Sequence, residues 1–235
     1  MIDWGWIADH LPAIAGRTLQ HIEIAAIALV VGFVLSFALA IASVRARRIY
    51  PVIGVIAGVL YTIPSLALFS AFVPVIGLSL LTVEIPLVLY TFVIYIRNMV
   101  AGFDAVPADV LEAADGMGYT RNGRLLRVEI PLAVPLIVAG VRLASVSTIG
   151  LVTISGILGQ AFGGLGFFIF ENQRFATEVL VGAVGSIVLA VGADVLFGRL
   201  QRRLTPWSRM DVDLVLAKGA RSTADRSAAE KPAGA

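Results

Sequence analysis

The sequence lacks cysteine and contains few histidines and few charged residues. None of its 235 residues is a cysteine, which excludes disulfides, thiolate metal ligands and thiol nucleophiles. The two histidines, His10 and His21, lie near the N-terminus without the spacing of a metal-binding motif. Charged residues make up 14% of the chain and hydrophobic residues 58%, and the mean hydropathy is +0.91. Because a soluble domain is less apolar than this, the composition indicates an integral membrane protein.

Long apolar stretches predict an all-α fold with about five transmembrane helices, and six is the alternative. Residues 24–44 contain no charge, and about 20 such residues cross a hydrocarbon core of about 30 Å. Prolines at 51, 64 and 74 punctuate the next stretch, which predicts one helix over 52–73 and then a short turn. The remaining helices are predicted at 84–102, 132–154 and 179–196. The glycine-rich residues 156–170 favour a loop or half-helix folded back at the outer surface.

Arginine positions predict the orientation, since basic residues beside membrane spans stay in the cytoplasm. The three clusters that follow the first, third and fifth spans are Arg45, Arg47 and Arg48; Arg121, Arg124 and Arg127; and Arg199, Arg202 and Arg203. Five spans with the N-terminus outside place all three clusters and the C-terminus inside. We therefore expect an extracytoplasmic segment at 1–21, a transmembrane domain at 22–207, and a disordered cytoplasmic tail at 208–235.

The charged insert between the third and fourth spans predicts two short helices. Pro107 suits a helix start and Gly118 a helix end, which predicts a helix over 108–117. One face carries apolar side chains and the other carries acids; the apolar positions are Val110, Ala113, Ala114 and Met117. A second helix is predicted to begin after Thr120 as N-cap and to stop before Pro131. An acidic face is unsuited to an anionic membrane surface, so the insert favours a protein partner.

This insert resembles a motif of a known family. It reads Glu112-Ala113-Ala114, three residues, Gly118, nine residues, then Val128-x-Ile130-Pro131. The pattern is similar to the EAA loop of ABC importer permeases, E-A-A-x3-G-x9-I-x-L-P, with conservative departures at Val128 and Ile130. The resemblance implies a type I importer permease with a MetI-like fold, in the cytoplasmic membrane of a bacterium or archaeon.

The same resemblance implies how the insert, closed by Pro131, works as an ATPase-coupling site. Glu112 would make a polar contact with the ATPase, and Ala113 and Ala114 would permit close approach of two helices. Gly118 would form the turn, since only glycine enters a left-handed conformation without strain.

Further stretches are similar to permeases for osmoprotectants such as glycine betaine, choline and carnitine. They are TIPSLALF at 62–69, LVLYTFVIYIRN at 87–98, PLAVPLIVAGVRLA at 131–144, GGLGFFIF at 163–170 and RLTP at 203–206. The residues that could line a path for such a solute are Tyr61, Pro64, Ser65 and Tyr90. Aromatic rings attract quaternary ammonium groups, although membrane tyrosines also serve as packing or interface anchors. Tyr61 departs from the glutamine expected there, which leaves the individual substrate open.

The chain has no G-x4-G-K-[ST] loop, and its lysines are Lys218 and Lys231. It therefore has no such device for holding ATP phosphates, and we expect a transporter subunit, not an enzyme, without a cofactor of its own. The resemblance implies ATP and magnesium on a separate ATPase subunit, a second permease subunit that is identical or related, and an extracytoplasmic substrate-binding protein. No nucleic-acid partner is expected.

Two alternative functions remain open at this point. The first is a type I permease for another small solute, such as methionine, another amino acid or taurine. The second is an ion-coupled carrier, which would place ionisable residues at mid-depth in the membrane. The spans at 24–44, 52–73 and 179–196 have no such residue at mid-depth, and neither a carrier nor a membrane enzyme explains the insert at 112–131.

Overall fold

The computed structural model describes residues 2–46 and 48–205, which form α-helices joined by turns. A short helix α1, Trp4–Asp9, precedes the long helix α2, Leu11–Arg45. The expected N-terminal segment at 1–21 is thus helical for most of its length, and α2 begins well before the apolar stretch. Pro12 lies in its first turn, where a missing N–H costs no hydrogen bond. The tail predicted at 208–235 lies outside the described residues.

The second predicted span is not one helix. The chain forms α3, Ile49–Thr62, and α4, Ser65–Ile76, whose axes are bent by 93°. Ile63 adopts an extended conformation immediately before Pro64, because the proline ring clashes with a helical residue at the preceding position. The prediction of a continuous helix over 52–73 is therefore wrong, and the break lies at a proline that the sequence already displayed.

Helix α5, Leu80–Asp104, lies at the centre of the bundle and packs against both α2 and α8. Its middle supplies large buried side chains, including Tyr95 and Met99, each at most 1% exposed. Small residues such as Ala40 of α2 and Ala133 of α8 lie in the same buried cluster. Close packing holds α2, α5 and α8 in fixed positions relative to one another, and the more exposed helices pack against them.

The charged insert forms α6, Ala108–Gly116, and α7, Arg121–Arg124, close to the predicted positions. Thr120 caps α7 as expected, with its hydroxyl oxygen accepting a hydrogen bond from the Gly123 N–H at 3.2 Å. The helix does not stop before Pro131, however. It continues through a π-helical turn, Leu125–Glu129, into α8, Ile130–Ser155. A π-turn widens the helix immediately before the proline, where an α-turn would meet the proline ring and lack a donor.

The glycine-rich segment forms a 3₁₀ turn, a loop and the short helix α9, Gly166–Glu171, before the last helix α10, Ala176–Leu204. This agrees with the predicted loop or half-helix. The segment packs so closely on α8 that a Cβ at Gly166 would lie 1.9 Å from the Thr153 carbonyl oxygen. Only glycine fits at that contact.

The described helices confirm the prediction of an all-α membrane fold. Four are long and apolar enough to cross a membrane, and the bent pair α3–α4 makes a fifth span if its two halves count together. Between α8 and α10, the Arg142 guanidinium donates to Asp194 at 2.8 and 3.0 Å. This pair neutralises two charges that would be costly to expose singly to hydrocarbon.

Candidate functional site

Helix α6 presents most of its surface to the outside of the bundle. Ala114 is 1% exposed, whereas Met117 is 70% exposed. Glu112 and Ala113 are also exposed, and Val110 is half-buried. Of the predicted apolar face, therefore, only Ala114 is fully covered by this chain. The uncovered part, which we call the coupling surface, consists of Glu112, Ala113 and Met117.

The turn after α6 has the geometry that the sequence predicted. Gly118 has a φ of +78°, in the left-handed region that side chains other than glycine enter at a cost. Its N–H donates to the Asp115 carbonyl at 3.0 Å, and the Tyr119 N–H donates to the Ala114 carbonyl at 3.2 Å. These two bonds form a Schellman motif, which ends the helix and sets the direction of the chain into α7.

A second feature is a cleft of about 410 Å³ between the bent pair, α5 and α8. The residues that line it are Tyr61, Ile63, Ser65, Tyr90, Ile94, Ser147, Gly150, Leu151 and Ile154. Three of the four predicted path residues thus meet at one cavity. Pro64 does not line the cleft but creates the bend that opens it. The residues of α8 were missed by the sequence reasoning, although their spacing of three to four is that of one helix face.

Tyr90 also holds the bend together. Its side chain is 8% exposed, and its hydroxyl donates a hydrogen bond to the Ile63 carbonyl. That carbonyl lies outside both α3 and α4, so the break deprives it of a helical donor. A buried backbone group that loses its partner costs about 1–3 kcal/mol. Tyr90 therefore has a structural role in addition to lining the cleft.

One arginine lies close to a residue that lines the cleft. Arg97 lies on α5 about two helical turns beyond Tyr90, with its guanidinium carbon 5.9 Å from the centre of the Tyr61 ring. This is within range of a cation–π contact. Among the described residues, no group of three or more His, Cys, Asp or Glu residues could hold a metal ion.

A cleft beside a broken helix, together with an exposed helix between two spans, is the arrangement expected of the membrane-spanning permease subunit of a transporter. Residues 18–206 match the family of binding-protein-dependent transport system inner membrane components, and the chain belongs to that family. This confirms the resemblance inferred from the motif.

The chain covers most of the length of several relatives that are named as permeases for choline, carnitine or osmoprotectants. The chain is 32% identical over 192 residues to the choline transport system permease protein OpuBB of Bacillus subtilis, covering 81% of this chain and 88% of that protein. It is 34% identical over 193 residues to the carnitine transport permease protein OpuCB of Listeria monocytogenes, covering 81% and 87%. It is 33% identical over 209 residues to the osmoprotectant import permease protein OsmW of Salmonella typhimurium, covering 86% and 96%.

Solved structures show the same fold. An inward-facing MetNI methionine ABC transporter chain matches with a TM-score of 0.74 at 19% identity, covering 82% of this chain and 96% of that one. A chain of an amino acid ABC transporter with histidines matches with a TM-score of 0.72 at 16% identity, covering 86% and 99%. At these identities the likeness concerns the fold alone.

The turn at Gly118 generates a testable prediction. Gly118→Val should abolish solute uptake while the protein still inserts in the membrane, because a β-branched residue is strained at positive φ. Gly116→Val is the matched control: Gly116 is also exposed and has nothing within 4 Å of a Cβ, but its φ is not positive. Uptake rate and membrane abundance are measured for both. Equal uptake by the two variants would contradict a requirement for the left-handed turn.

The hydrogen bond of the Tyr90 hydroxyl generates a second testable prediction. Tyr90→Phe keeps the ring but leaves the Ile63 carbonyl without its donor, which should destabilise the protein by about 1–3 kcal/mol. Tyr61→Phe removes the hydroxyl from an exposed ring and should have little effect. Thermal unfolding of the purified protein in detergent compares the two, and a larger loss for Tyr61→Phe would argue against the role of Tyr90.

Proposed function

We propose that this chain is the permease subunit of an ATP-driven type I importer that carries a quaternary-ammonium osmoprotectant across the cytoplasmic membrane by alternating access. The observation that carries the proposal is a continuous helical span, Arg121–Leu158, that joins the exposed loop to the cleft. Its first residues follow the coupling surface and Gly118, and its later residues line the cleft. A movement imposed on α6 can therefore reach the cavity through one rigid element.

The substrate class is supported by the relatives and by the chemistry of the cleft. Relatives about one-third identical over most of the chain are named for choline, carnitine and osmoprotectants. The rings of Tyr61 and Tyr90 provide aromatic surface for a trimethylammonium group. Arg97 beside the cleft favours a solute that also bears a carboxylate, such as glycine betaine or carnitine, by simple Coulomb attraction.

The partners follow from what this chain contains and leaves uncovered. We assign the coupling surface to an ATPase subunit that binds ATP and magnesium, with Glu112 as the polar contact and Ala113 allowing close approach. This requires α6 to face the cytoplasm, hence an N-terminus outside and a C-terminus inside, as the arginine clusters predict. A second permease subunit, identical or related, would cover the exposed side of the cleft where Tyr61 lies. An extracytoplasmic binding protein would deliver the solute.

A different solute is the second candidate. The fold is shared with a methionine transporter, and the cleft has no side chain that by itself excludes an amino acid. An ion-coupled carrier is less well supported, because it leaves the exposed α6 and its left-handed turn without a role.

The proposal is tested by uptake into proteoliposomes. An affinity-tagged chain purified from its own cells should bring down an ATPase, and the reconstituted complex should take up radiolabelled glycine betaine or carnitine only with ATP and the binding protein. Excess unlabelled choline should compete, whereas methionine should not. Uptake driven by an ion gradient without ATP, or ATP-dependent uptake of methionine alone, would refute the proposal.

A further inference from the structure

One arginine joins the two halves of the charged insert. The guanidinium of Arg124 donates through Nη1 to the Asp115 carboxylate of α6 at 2.5 Å, and through Nε to the Glu129 carboxylate at 2.9 Å. Glu129 lies at the end of the π-turn, next to α8, and its side chain is 8% exposed. The Asp115 side chain is 55% exposed. Arg124 thus connects the exposed helix to a buried acid at the base of the membrane span.

The pair formed by Arg124 and Glu129 crosses the π-turn from one side to the other. The two residues are five positions apart, which is the hydrogen-bond spacing of a π-turn. In an α-helix, with 3.6 residues per turn, positions five apart point in directions about 140° apart and do not face each other. The ion pair is therefore favoured by the π-turn and opposes its conversion to an α-turn. Such a conversion would rotate α6 relative to α8 by about 100° and shift it by about 1.5 Å.

The rest of α7 is anchored independently of Arg124. Arg121 donates to the Arg45 carbonyl at 2.8 Å, and Arg45 donates to the Asn122 side chain at 2.6 Å. Leu125 is 5% exposed and packs in the cluster that contains Phe103 of α5. The loss of Arg124 should thus leave α7 in place while loosening α6 and the π-turn.

We propose that Arg124 is a positioning residue for transport: it transmits displacement of α6 to α8 by holding Asp115 and Glu129 at the same time. This rests on the proposed function, in which α6 is moved by an ATPase. With Arg124 in place, the π-turn does not convert to an α-turn, and α8 moves together with α6. Without it, the π-turn absorbs the displacement and ATP hydrolysis becomes separated from movement at the cleft.

The test is the number of solute molecules transported per ATP hydrolysed in the purified complex in proteoliposomes, with binding protein and glycine betaine or carnitine. Arg124→Gln, which loses both charge-assisted hydrogen bonds, should retain ATP hydrolysis while this ratio falls at least tenfold, about the effect of one such bond. Arg124→Lys, which keeps the charge but cannot form the two-pronged contact, should give an intermediate ratio. Arg127→Gln removes the same charge from an exposed position three residues on and should leave the ratio unchanged. A role in folding alone would lower transport and hydrolysis together and leave the ratio intact.

Asp115→Asn keeps the test decisive if Arg124→Gln fails to assemble, because it removes only the exposed link and leaves Glu129 paired. Its ratio should also fall. A wild-type ratio in Asp115→Asn or Arg124→Gln would overturn the role of Arg124 and leave the proposed function standing. Absence of solute-stimulated ATP hydrolysis in the wild-type complex would instead overturn the proposed function.

Discussion

Every backbone N–H and C=O within a membrane must find a partner inside the protein, and this chain meets that requirement in two different ways at Pro64 and Pro131. At Pro64 the helix breaks, and a tyrosine hydroxyl from the neighbouring α5 supplies the donor for the Ile63 carbonyl. At Pro131 the helix continues, and a π-turn lies immediately before the proline. The break at Pro64 opens the cleft, and the π-turn before Pro131 keeps the helix continuous. The cleft and the continuous helix that leads to it both depend on these two local solutions.

The two features are linked by α8. The described helix runs unbroken from Arg121 to Leu158, a length of about 57 Å at 1.5 Å per residue. One end adjoins the exposed coupling surface, and the other contributes Ser147, Gly150 and Ile154 to the cleft. A long, well-packed helix transmits displacement with little loss, since protein interiors are dense and only slightly compressible. The single wide turn in this helix is the place where displacement could be lost, and it is braced by an ion pair.

Much of this arrangement was predictable from the sequence, because it depends on local patterns. The family, the bounds of the short helix α6, the turn at Gly118 and the cap at Thr120 all follow from residues within a few positions of each other. The bend at Pro64 was missed because a proline can end, kink or begin a helix, and the choice depends on whether a partner such as Tyr90 reaches the freed carbonyl. The continuation of the helix through Pro131 was missed because a proline can likewise end, kink or begin a helix. The α8 side of the cleft, with Ser147 and Gly150, required knowledge of which helices are neighbours, and a single sequence does not contain it.

The central claim is that α6 is held by an ATPase on the cytoplasmic side, and the absence of cysteine makes a direct measurement possible. Met117→Cys introduces a single thiol at an exposed position of the coupling surface. In the intact complex, a short bifunctional reagent should link it to the ATPase subunit, and a membrane-impermeant thiol reagent added to whole cells should not label it. Labelling from outside the cell, or the absence of any link to another subunit in an actively transporting complex, would contradict the account.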